Sequence, residues 1–145
     1  MTTPLTRWAA RLLLAPTFVV AAAVLVKGYA DVGDGFSAGV IASLGVLLQY
    51  VAFGYHVTEE LLPVRFAPAA AFAGLTIALL VLFVPVLLGD PVVTHYPRAG
   101  TEPLHLGTLE LITAVAFDLG VFLLVLGGAV GIIHLAAHAA ERGEE

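Results

Sequence analysis

Asp118 is the residue whose position raises the clearest chemical question in this chain. It lies within the last long apolar segment, ten residues after that segment's expected start at 108, which would place it about 15 Å into a helix. A charged aspartate at bilayer depth costs about 2.5–3.5 kcal/mol on the gentler scales, and such residues commonly face an ion or proton path. Two interpretations stay open: a carboxylate on such a path, or a hydrogen-bonded aspartate that fixes its helix to a neighbour.

Three further charged residues are candidates for the same path. Lys27 and Asp34 flank a glycine-rich turn, and Glu110 stands near the expected start of the last helix. Each also has an ordinary explanation. A lysine can anchor a helix end at the membrane surface, a turn aspartate can simply be solvated, and an acid in the first helical turn complements the helix dipole.

His134 and His138 have the spacing of metal-binding histidines on a helix, and Glu141 falls on the same face. No further firm ligand accompanies them, so the sequence predicts no metal site and favours histidines that exchange protons at the membrane surface. The chain has no cysteine, and it contains no phosphate-binding loop, dinucleotide-binding turn or Ser-His-Asp order. We therefore expect no cofactor and no enzymatic activity.

The composition indicates which solvent surrounds these residues. The chain of 145 residues is 60% hydrophobic and only 12% charged, whereas a soluble domain carries roughly 25% charged residues. Polar side chains are too few to cover a globule in water, so the sequence predicts an integral membrane protein. The net charge of −5 and the lack of a basic patch argue against binding to nucleic acid.

Four apolar segments are long enough to cross a bilayer, which predicts an all-α membrane protein of one domain over 1–145. The approximate spans are 8–27, 36–55, 67–88 and 108–138. An even number of spans puts both termini on the same side. The basic residues expected there are Arg7, Arg11, Arg65 and Arg142, against Lys27 and Arg98 on the other side. This asymmetry favours cytoplasmic termini.

Small residues on two segments predict close helix packing. The second segment carries Gly45 and, on the same stripe, Gln49, whose amide can hydrogen-bond across a helix contact. The last segment carries Gly120, Gly127 and Gly131. Because Gly127 follows Asp118 by nine residues, the two lie on opposite helix faces at about 100° per residue. Neither face suits lipid, so we expect protein on both sides, which points to a larger complex.

Glycines concentrate between the first two spans, where Gly28–Gly39 reads G-Y-A-D-V-G-D-G-F-S-A-G. We call this stretch the elbow. Such a run predicts a tight backbone turn or a close approach by another backbone. A second distinctive stretch, Phe117–Gly127, reads F-D-L-G-V-F-L-L-V-L-G and contains Asp118.

The elbow resembles the G-H-x-x-P-G-G-G-F-x-G-G signature of the MnhB-type subunit of the multisubunit Mrp-type Na+/H+ antiporters. The matching positions are Gly28, Gly33, Gly35, Phe36 and Gly39, and the departures are Tyr29, Val32, Asp34 and Ala38. The stretch Phe117–Gly127 is similar to the F-D-x-G-V-x-x-x-V-x-G of the family's last helix. The pattern of four spans with a polar loop before the last also agrees.

This resemblance implies a membrane subunit of a multisubunit cation/proton antiporter, a secondary transporter in a prokaryotic cell membrane. Its partners would be the other subunits of that complex and the lipid bilayer, and the transported ions would be H+ and Na+. The elbow would then seat the second helix against partner subunits. Two alternatives remain open: the equivalent subunit of an ion-pumping membrane-bound hydrogenase or complex I-like enzyme, and a non-conducting scaffold or assembly subunit.

Overall fold

A computed structural model describes residues 3–28, 33–92, 94, 104–106, 109–111 and 113–143. The elements in chain order are α1 (Pro4–Lys27), α2 (Gly35–Phe53), α3 (Tyr55–Glu59), α4 (Leu62–Arg65), α5 (Ala67–Leu87), β1 (Leu104–Leu106), β2 (Leu109–Leu111) and α6 (Thr113–Gly143). Within these described ranges, four helices, α1, α2, α5 and α6, are long and apolar enough to cross a membrane. The predicted membrane fold with four spanning helices is therefore confirmed, and a short antiparallel hairpin is added to it.

Local sequence sets the ends of the first two spanning helices. At the start of α1, the Thr3 hydroxyl accepts a hydrogen bond from the Thr6 N–H at 3.3 Å. The helix ends at Lys27, whose positive charge complements the negative end of the helix dipole. α2 ends at Phe53, short of the expected 55, because Gly54 takes a φ of 80°. This left-handed conformation is easy for glycine and interrupts the helix.

The four long helices lie in the spatial order α1, α2, α6, α5. The most extensive contact joins α5 to α6, followed by α1 with α2 and α2 with α6. Small and β-branched side chains fill the centre, among them Ala21, Ala42, Val46 and Val130. Many large apolar side chains point outward instead, as expected where lipid or other subunits supply the surroundings.

This order corrects one inference from the sequence. The prediction that α6 has protein on both sides holds, since α6 lies between α2 and α5. However, both neighbours come from this chain, so the two occupied faces of α6 do not by themselves require a larger complex.

The start of the last helix is also corrected. α6 begins at Thr113 rather than at 108, because Leu109–Leu111 forms β2 and pairs antiparallel with Leu104–Leu106. Glu110 therefore lies in a strand, opposite His105, and cannot complement the dipole of α6 from its first turn. Asp118 is correspondingly shallower, about 7.5 Å from the start of α6 at the standard rise.

Gly131 is not the close-packing position that its spacing predicted. A Cβ added at Gly131 would meet nothing within 4 Å. The reason is a small cavity of about 240 Å³ between Gly131 and the residues around the start of α5, including Ala67 and Pro68. The G-x-x-x-G spacing of α6 thus contributes one contact residue, Gly127, rather than two.

The start of α1 and the end of α6 lie at one end of the bundle, as an even number of spans requires, and we refer to it as the end that carries the termini. Pro4, at the start of α1, lines a groove together with Val57 of α3. At the end of α6, Glu141 contacts His56 of α3, with His56 Nε2 and Glu141 Oε1 2.8 Å apart. The described residues of the elbow, 28 and 33–39, occupy the opposite end together with Asp118.

Candidate functional site

The structure brings the two distinctive stretches of the sequence into direct contact. The Asp118 side chain is only 5% exposed, and its Oδ2 accepts a hydrogen bond from the Gly33 N–H at 2.9 Å. This bond joins residues that are 85 positions apart. A hydrogen bond to a carboxylate is stronger than one between neutral groups, so Asp118 fixes the elbow to α6.

Three glycines of the elbow make this approach possible. A Cβ at Gly28 would stand 3.2 Å from Asp118 Oδ2, and one at Gly35 would collide with the main-chain carbonyl of Asp118. Gly33 takes a φ of 123°, a conformation that side chains other than glycine rarely adopt. We refer to Asp118 with Gly28, Gly33 and Gly35 as the elbow junction.

An ion pair borders the elbow junction. Lys27 Nζ lies 3.1 Å from Asp34 Oδ2, with side-chain exposures of 68% and 25%. A Cβ at Gly28 would lie 3.3 Å from the Asp34 Cβ, so Asp34 and Asp118 flank the same glycine. An exposed pair of this kind contributes about 0–1 kcal/mol. The junction thus places one buried carboxylate beside a partly exposed acid and an exposed lysine.

The contact between α2 and α6 continues one turn beyond the junction. A Cβ at Gly39 would collide with the Val125 side chain, at 2.8 Å from its Cβ. Phe36, the aromatic residue of the signature, is exposed on the outer face of α2. Tyr29 and Val32, two of the departures from the signature, lie outside the described residues.

Farther along α2, the packing residues face α1 instead. Gln49 is buried and donates a hydrogen bond from Nε2 to the Ala10 carbonyl at 2.8 Å. A Cβ at Gly45 would lie 2.9 Å from the Thr17 Cγ2. These two positions therefore hold α1 against α2, away from the elbow junction.

On the other face of α6, glycines meet the backbone of α5. A Cβ at Gly120 would lie 3.0 Å from both the Ala78 nitrogen and the Gly74 carbonyl oxygen, and one at Gly127 would collide with the Ala67 carbonyl. The partner stripe on α5 was not predicted from the sequence. Its signal was present as small residues at helical spacing: Ala67, Ala71, Gly74 and Ala78.

His134 and His138 take part in an aromatic cluster at the end of the bundle that carries the termini. The Tyr55 ring lies 5.3 Å from His134 and 5.1 Å from His138, centroid to centroid. Tyr50 Oη lies within hydrogen-bond distance of His134 Nδ1, at 3.2 Å. Desolvation, and then the Glu59 carboxylate, raise the pKa of the Tyr55 phenol.

Within the part of the chain that the structure describes, no three histidine or acidic side chains converge as metal ligands would. The two tyrosines of this cluster were not predicted from the sequence. Tyr50 belongs to α2 and Tyr55 to α3, and the contacts of these two helices with α6 bring them to the histidines. No spacing along one helix reveals such contacts. The cluster lies far from the elbow junction, so the candidate residues occupy two separate ends of the molecule.

The sequence of this chain is similar to a family of known membrane proteins. A family described as "Domain related to MnhB subunit of Na+/H+ antiporter" matches residues 5–131. A protein of Alkalihalophilus pseudofirmus, named as a Na(+)/H(+) antiporter subunit of the B type, is 39% identical over 106 residues, which cover 73% of this chain and 72% of the relative. The protein of the same name from Bacillus subtilis is 37% identical over 110 residues, 76% of each chain.

A third relative carries a different cation in its name. The Rhizobium meliloti protein, named as a probable K(+)/H(+) antiporter subunit of the combined A/B type, is 35% identical over 129 residues, which are 87% of this chain but 12% of that protein. The family match spans both the elbow and most of α6, the two stretches that meet at Asp118. This chain therefore belongs to the family of MnhB-related Na+/H+ antiporter subunits and is a multi-pass protein of a prokaryotic membrane.

Proposed function

We propose that this chain works as a membrane subunit of a multisubunit cation/proton antiporter, and that its elbow junction takes part in moving protons or cations. The proposed role in moving protons or cations rests on the Asp118 carboxylate, which is buried and accepts a hydrogen bond from the Gly33 N–H. Lys27 and Asp34 stand beside it with part of their surface in water. This arrangement suits a carboxylate that exchanges a proton or an ion near one membrane surface.

The shallow position of Asp118 defines the role more closely. At about 7.5 Å from the start of α6, it lies near the end of the bundle rather than at the middle of the bilayer. We infer that it would act at the mouth of a path that continues in other subunits. The partner subunits would meet the outer face of the elbow, where Phe36 is exposed.

We also propose that both termini are cytoplasmic. Arg7, Arg11, Arg65 and Arg142 belong to elements at the end of the bundle that carries the termini. An excess of arginine marks the cytoplasmic side of membrane proteins. The elbow junction would then face the outside of the cell, and the path would open there.

Two substitutions of Asp118 separate ion handling from a purely structural role. Asp118→Asn keeps the shape of the side chain and an oxygen that can accept from Gly33, but it removes the charge and the titratable proton. Asp118→Ala also removes the acceptor, so the part-buried hydrogen bond from the Gly33 N–H is lost; a hydrogen bond to a charged group contributes about 1.5–3 kcal/mol. Both variants are compared with Glu60→Gln, which removes an exposed acid from the other end of the bundle.

The measurement is cation-driven proton exchange in everted membrane vesicles that contain the assembled complex, with Na+ and K+ added separately. Copurification of the partner subunits reports assembly. We expect Asp118→Asn to assemble normally and to lose most exchange, while Glu60→Gln keeps both. Normal exchange in Asp118→Asn, together with failed assembly in Asp118→Ala, would favour the scaffold role instead. Copurification of hydrogenase-type subunits would reject the antiporter assignment.

A further inference from the structure

An apolar groove with two arginines lies at the end of the bundle that carries the termini. Its volume is about 600 Å³, and it runs between the first turns of α1 and the junction of α2 with α3. Arg7, Trp8, Arg11 and Leu12 line one side, and Phe53 and Val57 line the other. The elbow junction is at the opposite end of the molecule, so this groove has no part in the function proposed above.

The side chains of the groove are divided between a polar and an apolar part. The Arg11 guanidinium carbon lies 5.3 Å from the centroid of the Phe53 ring, a cation–π contact that restrains the guanidinium over the ring. Trp8 is 75% exposed and Leu12 is 63% exposed. A tryptophan beside arginines, at the end of a spanning helix, is typical of the level of the lipid headgroups.

The positive charge of the groove favours an anionic ligand. Of the described residues that line it, two are arginines and none is acidic. Arginine matches phosphate geometry well, because its planar guanidinium can donate two parallel hydrogen bonds. An anionic phospholipid fits this division, with its anionic head beside Arg7 and Arg11 and an apolar tail along Leu12 and Phe53.

We propose that this groove binds one anionic phospholipid, with the phosphate held by Arg7 and Arg11 and an acyl chain lying against Leu12 and Phe53. A helix of a partner subunit is the competing occupant. Such a helix would have to bring an acidic side chain to the arginines at the depth of the headgroups. A phospholipid supplies that negative charge at that depth without any such requirement.

The test is native mass spectrometry of the full-length chain, released from a mild detergent and titrated with phosphatidylglycerol or phosphatidylcholine. We expect tighter binding of phosphatidylglycerol, weakened by added salt. Near a membrane each basic side chain contributes about 1 kcal/mol toward an anionic headgroup, so each arginine replaced should lower the affinity about fivefold. The variants are Arg11→Gln and the double variant Arg7→Gln/Arg11→Gln.

Arg65→Gln is the matched control, since it removes one arginine at the same end of the bundle but outside the groove. It should bind phosphatidylglycerol as the unmodified chain does. Equal affinities of the unmodified chain for the two lipids would overturn the proposal, and this comparison does not depend on whether the variants fold. So would a photoreactive residue at position 57 that, in native membranes, captures a partner subunit instead of lipid.

Discussion

Two adjacent glycines of α6 provide a sharp test of how tightly this bundle is packed. A Cβ at Gly127 would collide with the Ala67 carbonyl and the backbone of Ala71, whereas a Cβ at Gly128 would meet nothing within 4 Å. In Gly127→Ala, α5 must retreat by about 1 Å to regain ordinary contact distances. Such overpacking costs about 1–3 kcal/mol. This cost corresponds to a roughly 5–150-fold increase in the equilibrium constant for opening of the helix bundle.

The control, Gly128→Ala, adds the same methyl group to the same helix without a collision. We expect it to change stability by less than about 0.5 kcal/mol, or to stabilise α6 slightly because alanine is the better helix former.

Because the chain has no cysteine, a single Val130→Cys substitution at a fully buried position can report on opening. The measurement is the rate of cysteine alkylation in mild detergent. Alkylation should be faster in the Gly127 variant than in the Gly128 variant. Equal rates in the two variants would refute the packing argument.

Two further substitutions test the contacts of α2. Gly35→Ala would drive a methyl group into the main-chain carbonyl of Asp118, with a similar cost of about 1–3 kcal/mol. We expect faster amide exchange at Gly33, and unchanged exchange would argue against the contact. Gln49→Leu removes the donor to the Ala10 carbonyl and should lower stability by about 0.6 kcal/mol, the average for such bonds in membranes. A thermal unfolding midpoint equal to that of the unmodified chain would contradict a role in holding α1.

The sequence predicted the long helices well because their signal is local. Runs of apolar residues and the glycine or proline residues that end them mark a spanning helix without knowledge of its neighbours. The predicted start of α6 was wrong because the apolar character of the sequence continues into the hairpin. The apolar–polar–apolar alternation of Leu104–Leu106 and Leu109–Leu111 was the better guide there, since it has the period of a strand.

The candidate site was predicted in parts but not as a whole. Asp118 and the elbow each stood out by residue type, yet nothing in the sequence paired them, because the partner of Asp118 is a backbone N–H of Gly33. A backbone group has no sequence signature of its own. At Gly131 the sequence predicted a contact that the structure does not contain. Its spacing matched a packing motif, but the neighbouring helix is too far away to touch it.

The contacts of the elbow junction show why a variant that only removes the Asp118 side chain cannot test its proposed role in ion movement. Gly28 approaches its carboxylate, Gly33 donates to that carboxylate, and Gly35 packs on its main-chain carbonyl. Gly28 and Gly33 therefore fit an aspartate at this position by shape as well as by charge, whereas Gly35 meets a main-chain group that any residue would supply. A smaller side chain loses the acceptor, and a longer one has no room beside Gly28. Only a replacement of equal shape, such as asparagine, changes the charge while keeping the contact, so it is the variant whose transport behaviour bears on the proposed ion path.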